Sequence, residues 1–154
     1  MQQKILEMKM QTWTVKNEES LNFLIDALKE QKKPFVVELL PAHRTIPQNR
    51  LFYLIYDIIA EQLYGGDGHH ARNECKLTIG VPILRRDSEK FQQTYDRLLK
   101  PASYEDKLAM MEYVSISSIF DKAQGTEYIK SMFDKYAQKG VTWSEIIIAQ
   151  VGML

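Results

Sequence analysis

One stripe of apolar residues, Leu51, Leu54, Ile55, Ile58, Ile59 and Leu63, constrains this chain more than any other stretch. Its spacing of three and four predicts a single amphipathic helix. Thr45 followed three residues later by Gln48 reads as a capping box, and Pro47 falls in the first turn, where its missing N–H costs nothing. Gly65-Gly66-Asp67-Gly68 ends the helix near Tyr64, because three glycines in four residues make a strong breaker.

The segments around that helix predict an α+β fold, with N-terminal strands and a crossover helix followed by a mainly helical remainder. Residues 4–15 alternate loosely and contain Thr12, Trp13, Thr14 and Val15, which favour extended structure. Asn17 offers an N-cap to a helix reaching about Gln31, with Leu21, Leu24, Ile25 and Leu28 as its stripe. Phe35-Val36-Val37-Glu38-Leu39-Leu40 reads as a second strand. If the two strands are parallel, the helix between them is a right-handed crossover. Downstream, helices are expected over about 69–77, 87–99, 104–112 and 121–138, with Gly140 closing the last. Val81–Leu84 and Tyr113–Ser118 read as extended.

A chain of 154 residues fits one domain, and its 45% apolar and 26% charged content is ordinary for a globular protein. No run is long and apolar enough for a membrane span, and the N-terminus lacks the apolar core of a signal peptide. With Cys75 as the single cysteine, a cytoplasmic location is expected. Net charge is zero, which argues against a DNA-coating protein. Its distribution is uneven, however. Residues 32–50 carry four basic and one acidic side chain, 69–100 carry seven and four, and 51–68 carry three acidic ones. The two basic blocks could share one face or lie far apart.

Chemistry-bearing motifs are sparse. His69, His70, Asp67 and Cys75 lack the second ligand pair of a zinc site. No serine lies in a nucleophile-elbow setting, and the glycine-rich turn lacks the Lys-Ser/Thr ending of a phosphate loop. Asp57 and Glu61, four apart on the central helix, leave a metal-dependent phage nuclease as the alternative, with His69 or His70 assisting. The denser feature is the start of the central helix. Arg44, Gln48, Asn49, Arg50, Phe52 and Tyr53 place two arginines, two amides and two aromatics within ten residues. That mixture suits a polyanion whose bases can be stacked, and it equally suits a capped core helix with a solvated first turn. Tyr53 lies off the apolar stripe, so it is the aromatic expected to face solvent.

Lys33-Pro34-Phe35-Val36-Val37 followed by Arg44-Thr45-x-x-Gln48-Asn49-Arg50-x-x-Tyr53 resembles the phage NinB (Orf-like) family. Ser115-x-Ser117-Ser118, Glu127-Tyr128-Ile129 and Gly140-Val141 fall in the order of that family's later segments, so the likeness runs from about residue 32 to 143. The resemblance implies one domain over 1–154 that acts as a non-enzymatic, cofactor-free homodimer. It implies binding of single-stranded DNA as a recombination mediator, helping a recombinase or annealing protein act where host single-strand-binding protein coats the strand. Within the family the block matching Gln48 and Tyr53 is associated with DNA binding, and Tyr53 stands where the founding member has tryptophan. Near Ile119-Phe120-Asp121 this chain lacks that member's arginines, and its tail is apolar rather than basic. Binding then rests on Arg44, Gln48, Asn49, Arg50 and Tyr53, together with Arg85 and Arg86 of the second basic block.

Overall fold

A computed structural model describes residues 15, 17–37 and 46–154, and divides the chain into two compact units, Met1–Arg44 and Thr45–Leu154. In the first unit, α1 (Glu18–Lys29) begins in a capping box. Asn17 Oδ1 accepts from the Ser20 N–H at 2.9 Å, while Ser20 Oγ accepts from the Asn17 N–H at 3.0 Å. Glu18 and Glu19 complement the positive end of the helix dipole. No residue of α1 is buried.

The expected α+β fold is not what forms: among the described residues every regular element is a helix and none is a strand. Of the first expected strand, residues 4–14 lie outside the described residues. Of the second, Phe35, Val36 and Val37 are described, without regular structure and exposed, and residues 38–40 lie outside. β-propensity reports fit to a paired, half-buried surface. Among the described residues these three have no such pairing, and their backbone is irregular despite one aromatic and two β-branched side chains.

The second unit is built on α2 (Gln48–Leu63), α3 (Gly68–Cys75) and α7 (Lys122–Gln138). At the turn between α2 and α3, Gly65 and Gly66 adopt φ of 61° and 88°, the left-handed region that favours glycine. α2 buries Leu51, Phe52, Ile55, Tyr56, Ile59 and Ala60 against Tyr128, Ile129, Met132 and Tyr136 of α7. The buried face is therefore rotated from the aliphatic stripe toward the aromatics: Leu54 and Ile58 are half-buried, and Leu63 is 37% exposed. Ring packing drives this, since Phe52 meets Tyr128 edge-on at 5.4 Å and the Tyr56 and Tyr128 hydroxyls share a hydrogen bond of 3.0 Å.

Past α3 the chain stays helical. A π-turn (Lys76–Gly80) leads into α4 (Val81–Asp87), so Val81–Leu84 is helix rather than extended. Pro82 sits in the first turn of α4, directly after the π-turn. α5 (Glu89–Leu98), α6 (Tyr104–Met110), a 3₁₀ turn (Ser117–Ile119) and α8 (Glu145–Gly152) complete the unit. A smaller core of Leu77, Val81, Leu84, Met111 and Ile116 holds α4 to the end of α6.

Gly80 is where the two cores meet. A Cβ there would lie 2.6 Å from Ile116 Cγ2 and 3.4 Å from Phe120 Cζ, and Ile116 is fully buried with nowhere to retreat. Gly80→Ala should destabilise the unit by about 1–3 kcal/mol through overpacking. In a urea titration Gly80→Ala should cost less in an Ile116→Ala chain, which lacks the Cγ2 methyl that the new Cβ would strike, than in the parent. A single variant with an unshifted midpoint would contradict this packing.

Candidate nucleic-acid interface

The first two turns of α2 divide their side chains between two directions. Pro47 is the N-cap, and no side chain caps the helix. Thr45 and Arg44 lie outside the described residues. Gln48 turns inward: its Nε2 donates to the Lys122 carbonyl at 3.0 Å and to Thr126 Oγ1 at 3.1 Å, tying the start of α2 to that of α7. The fit is close, because a Cβ at Gly125 would lie 2.2 Å from Gln48 Oε1. Gln48 is thus a staple between helices, and its amide nitrogen is already occupied.

Asn49, Arg50 and Tyr53 are exposed, with Arg50 and Tyr53 three residues apart on the face opposite the core. Tyr53 is 56% exposed. Its ring meets Tyr56 edge-on at 5.8 Å. Arg50 has no ion-pair partner among the described residues. Farther along the same face come Asp57 and Glu61, both exposed. A polyanion is favoured at the Arg50–Tyr53 end and repelled beyond it.

Arg72 is the residue that sequence reasoning missed. It belongs to the 69–100 basic block, and the signal was that block's charge, but nothing local marked Arg72 over its neighbours. Burial opposes its charge, yet Glu112 and Tyr53 outweigh that and raise its pKa. Its Nη2 donates to Glu112 Oε1 at 2.7 Å. The same carboxylate accepts from Asn73 Nδ2 at 3.0 Å and meets His69 Nδ1 at 3.0 Å. Asn73, with Arg72 and His69, holds the Glu112 carboxyl down at about 2.

The structure does not gather Arg85 and Arg86 into this face as free cations. Arg85 makes a two-pronged pair with Asp96, with Nε and Nη2 each at 2.9 Å from a carboxylate oxygen. Arg86 bridges Asp87 and Glu127, at 2.6 Å and 2.7 Å. Each guanidinium is compensated by its own carboxylates, so neither adds net attraction for phosphate.

The remaining polar cluster ties helices together. Glu74 accepts from the Tyr64 hydroxyl and from Lys139 Nζ at 3.0 Å, with His70 Nε2 at 3.7 Å. Cys75 Sγ donates to the Tyr136 hydroxyl at 3.5 Å, and burial pushes the thiol up to about 12, far from a reactive thiolate. Among the described residues no three His, Cys, Asp or Glu side chains converge to hold a metal ion. Nor is any described helix long and apolar enough to cross a membrane. No protein-family model matches the chain, and no curated protein or solved structure matches it.

Proposed function

We propose that this protein is a non-enzymatic single-stranded-DNA-binding accessory protein of phage-type recombination, working in the cytoplasm of the host cell. The observation that carries this reading is the outward face at the start of α2, where Asn49, Arg50 and a 56% exposed Tyr53 stand together. In the reading, Arg50 neutralises a phosphate, Asn49 hydrogen-bonds sugar or base edges, and Tyr53 stacks a base. Gln48 contributes by fixing the helix on which these groups ride. The likeness of the Gln48-Asn49-Arg50 block to the NinB family supports the same reading, and with it a homodimer that pairs two such patches and a recombinase or host single-strand-binding protein as partner.

A labelled homopyrimidine oligonucleotide, titrated by anisotropy at low salt, tests it. Tyr53→Ala should weaken binding roughly fivefold to a hundredfold, the range of one base–aromatic stack. Arg50→Ala should flatten the salt dependence by about one phosphate's share. Absence of single-strand binding at low salt would refute the proposal. Cleavage of the oligonucleotide with Mg²⁺ or Mn²⁺ that disappears in Asp57→Ala would establish the nuclease instead.

A further inference from the structure

Two ties join α7 to the wall formed by the π-turn and α4, and a cleft of about 430 Å³ lies between them. At one end the Arg86 guanidinium donates to both oxygens of Glu127, at 2.7 Å and 2.8 Å. At the other, Lys135 Nζ donates to Thr78 Oγ1 at 2.6 Å. Glu127, Ser131 and Lys135 recur every four residues on α7, so the two ties stand about 12 Å apart along that helix. Ile79 and Ile83 floor the cleft, the exposed Pro82 gives it an apolar rim, and Ser131 adds a hydroxyl midway. Its size is that of a small-molecule site. One wall includes the π-turn, a backbone irregularity frequent at functional sites.

The two ends differ in charge. Arg86 lies between Asp87 and Glu127, one guanidinium against two carboxylates. Lys135 has no carboxylate within ion-pair distance among the described residues. The neighbouring acid, Glu74, is engaged by Lys139 at 3.0 Å and by the Tyr64 hydroxyl. Thr78 serves Lys135 only as a neutral acceptor, because its own proton goes to the Glu74 carbonyl at 2.7 Å. Lys135 is half-buried, and burial, with Lys139 beside it, lowers its pKa. Such an ammonium gains more from an incoming anion than one in open water does. One uncompensated cation matches a singly charged head, and the acid excess at the far end repels a second anionic group.

We propose that this cleft binds a small aliphatic carboxylate, its head on Lys135 and its uncharged chain laid over Ile79, Ile83 and Pro82. The inference is independent of the α2 face and of nucleic-acid binding.

Octanoate, kept below the concentration at which it forms micelles, is the probe. It is titrated into the full-length chain by calorimetry, with the methyl resonances of Ile79 and Ile83 followed in parallel. Octanol tests the chain without the charge, and acetate the charge without the chain. Octanoate should bind once per chain and move both methyls, with each control at least about tenfold weaker. Lys135→Met keeps the apolar stem and should weaken octanoate about tenfold or more, leaving octanol unchanged. Ser131→Phe, which fills the cleft from its middle, should abolish binding. Octanoate that leaves the methyls unmoved overturns the proposal, as does octanol binding as tightly as octanoate. Acetate as tight as octanoate would reduce the cleft to an ion site, and an unchanged affinity in Lys135→Met would place the head elsewhere; either result also overturns it. The comparison of octanoate with octanol uses the parent chain alone, so it decides the head assignment even if Lys135→Met lowers stability.

Discussion

Tyr128→Ala is expected to abolish cooperative folding of the 45–154 unit, or to leave it with less than half its parent's urea midpoint. Tyr128 is fully buried at the crossing of α2 and α7. Its ring meets Phe52 at 5.4 Å and Phe120 at 5.0 Å, so truncation opens a cavity bordered by both cores. Loss of a buried aromatic costs about 3–5 kcal/mol. The Tyr56 hydroxyl, 3.0 Å away, would lose its hydrogen-bond partner in a buried site, adding about 1–3 kcal/mol. Against a total stability of about 5–15 kcal/mol, the combined loss is decisive. Tyr128→Phe separates the two contributions, since it keeps the ring and gives up only the hydrogen bond, about 1–2 kcal/mol. Adding Tyr56→Phe should cost less than a second such increment, because the stranded hydroxyl is then gone as well. A parent-like midpoint for Tyr128→Ala would mean that α2 and α7 do not meet as described.

What could be read in the sequence divides along the range of the interactions involved. Asn17 and Asp121 cap their helices as local chemistry requires, and the glycines at 65 and 66 turn the chain where expected. Tyr53 falls on the solvent side because the period of α2 alone puts it there. Features set by distant partners were not legible. Burial of Phe52 and Tyr56 was legible once Tyr53 was set apart as the solvent-facing aromatic, but the α7 rings that receive them were not. An amide at a helix start reads equally well as ligand contact or staple. Gln48 is the second only because Lys122 and Thr126, 74 and 78 residues away, come to it. Counting charges likewise made Arg85 and Arg86 look available, when Asp96, Asp87 and Glu127 take them up. The described part of the second strand failed for the same reason: propensity at Phe35-Val36-Val37 needs a neighbouring strand to act on.

The thermal midpoint is expected to hold steady from pH 7 to about 5 and then fall steeply toward pH 2, through the ordinary carboxylate range. Five carboxylates carry this. Arg86 holds Asp87 at about 2 and lowers Glu127, and Arg85 lowers Asp96. Asn73 and Arg72 hold Glu112 at about 2. Burial alone would raise Glu74, but the Tyr64 hydroxyl and Lys139 outweigh it and the net shift is downward. In every case the folded state holds its proton less tightly than the unfolded chain. The stabilisation is therefore complete above the unfolded carboxyl pKa and disappears as pH drops through the folded one. Each solvent-facing pair is weak alone. Together they matter because four of the five join separate elements: α4 to α7, α4 to α5, α3 to the end of α6, and α3 to the end of α7. Glu112→Gln isolates one of them. At pH 7 its midpoint should lie below the parent's, since a neutral amide no longer draws Arg72, and the gap should close as pH approaches 2, where the parent's own carboxyl takes up its proton. Curves that stay parallel across that range would show that the Glu112 carboxylate does not stabilise the fold.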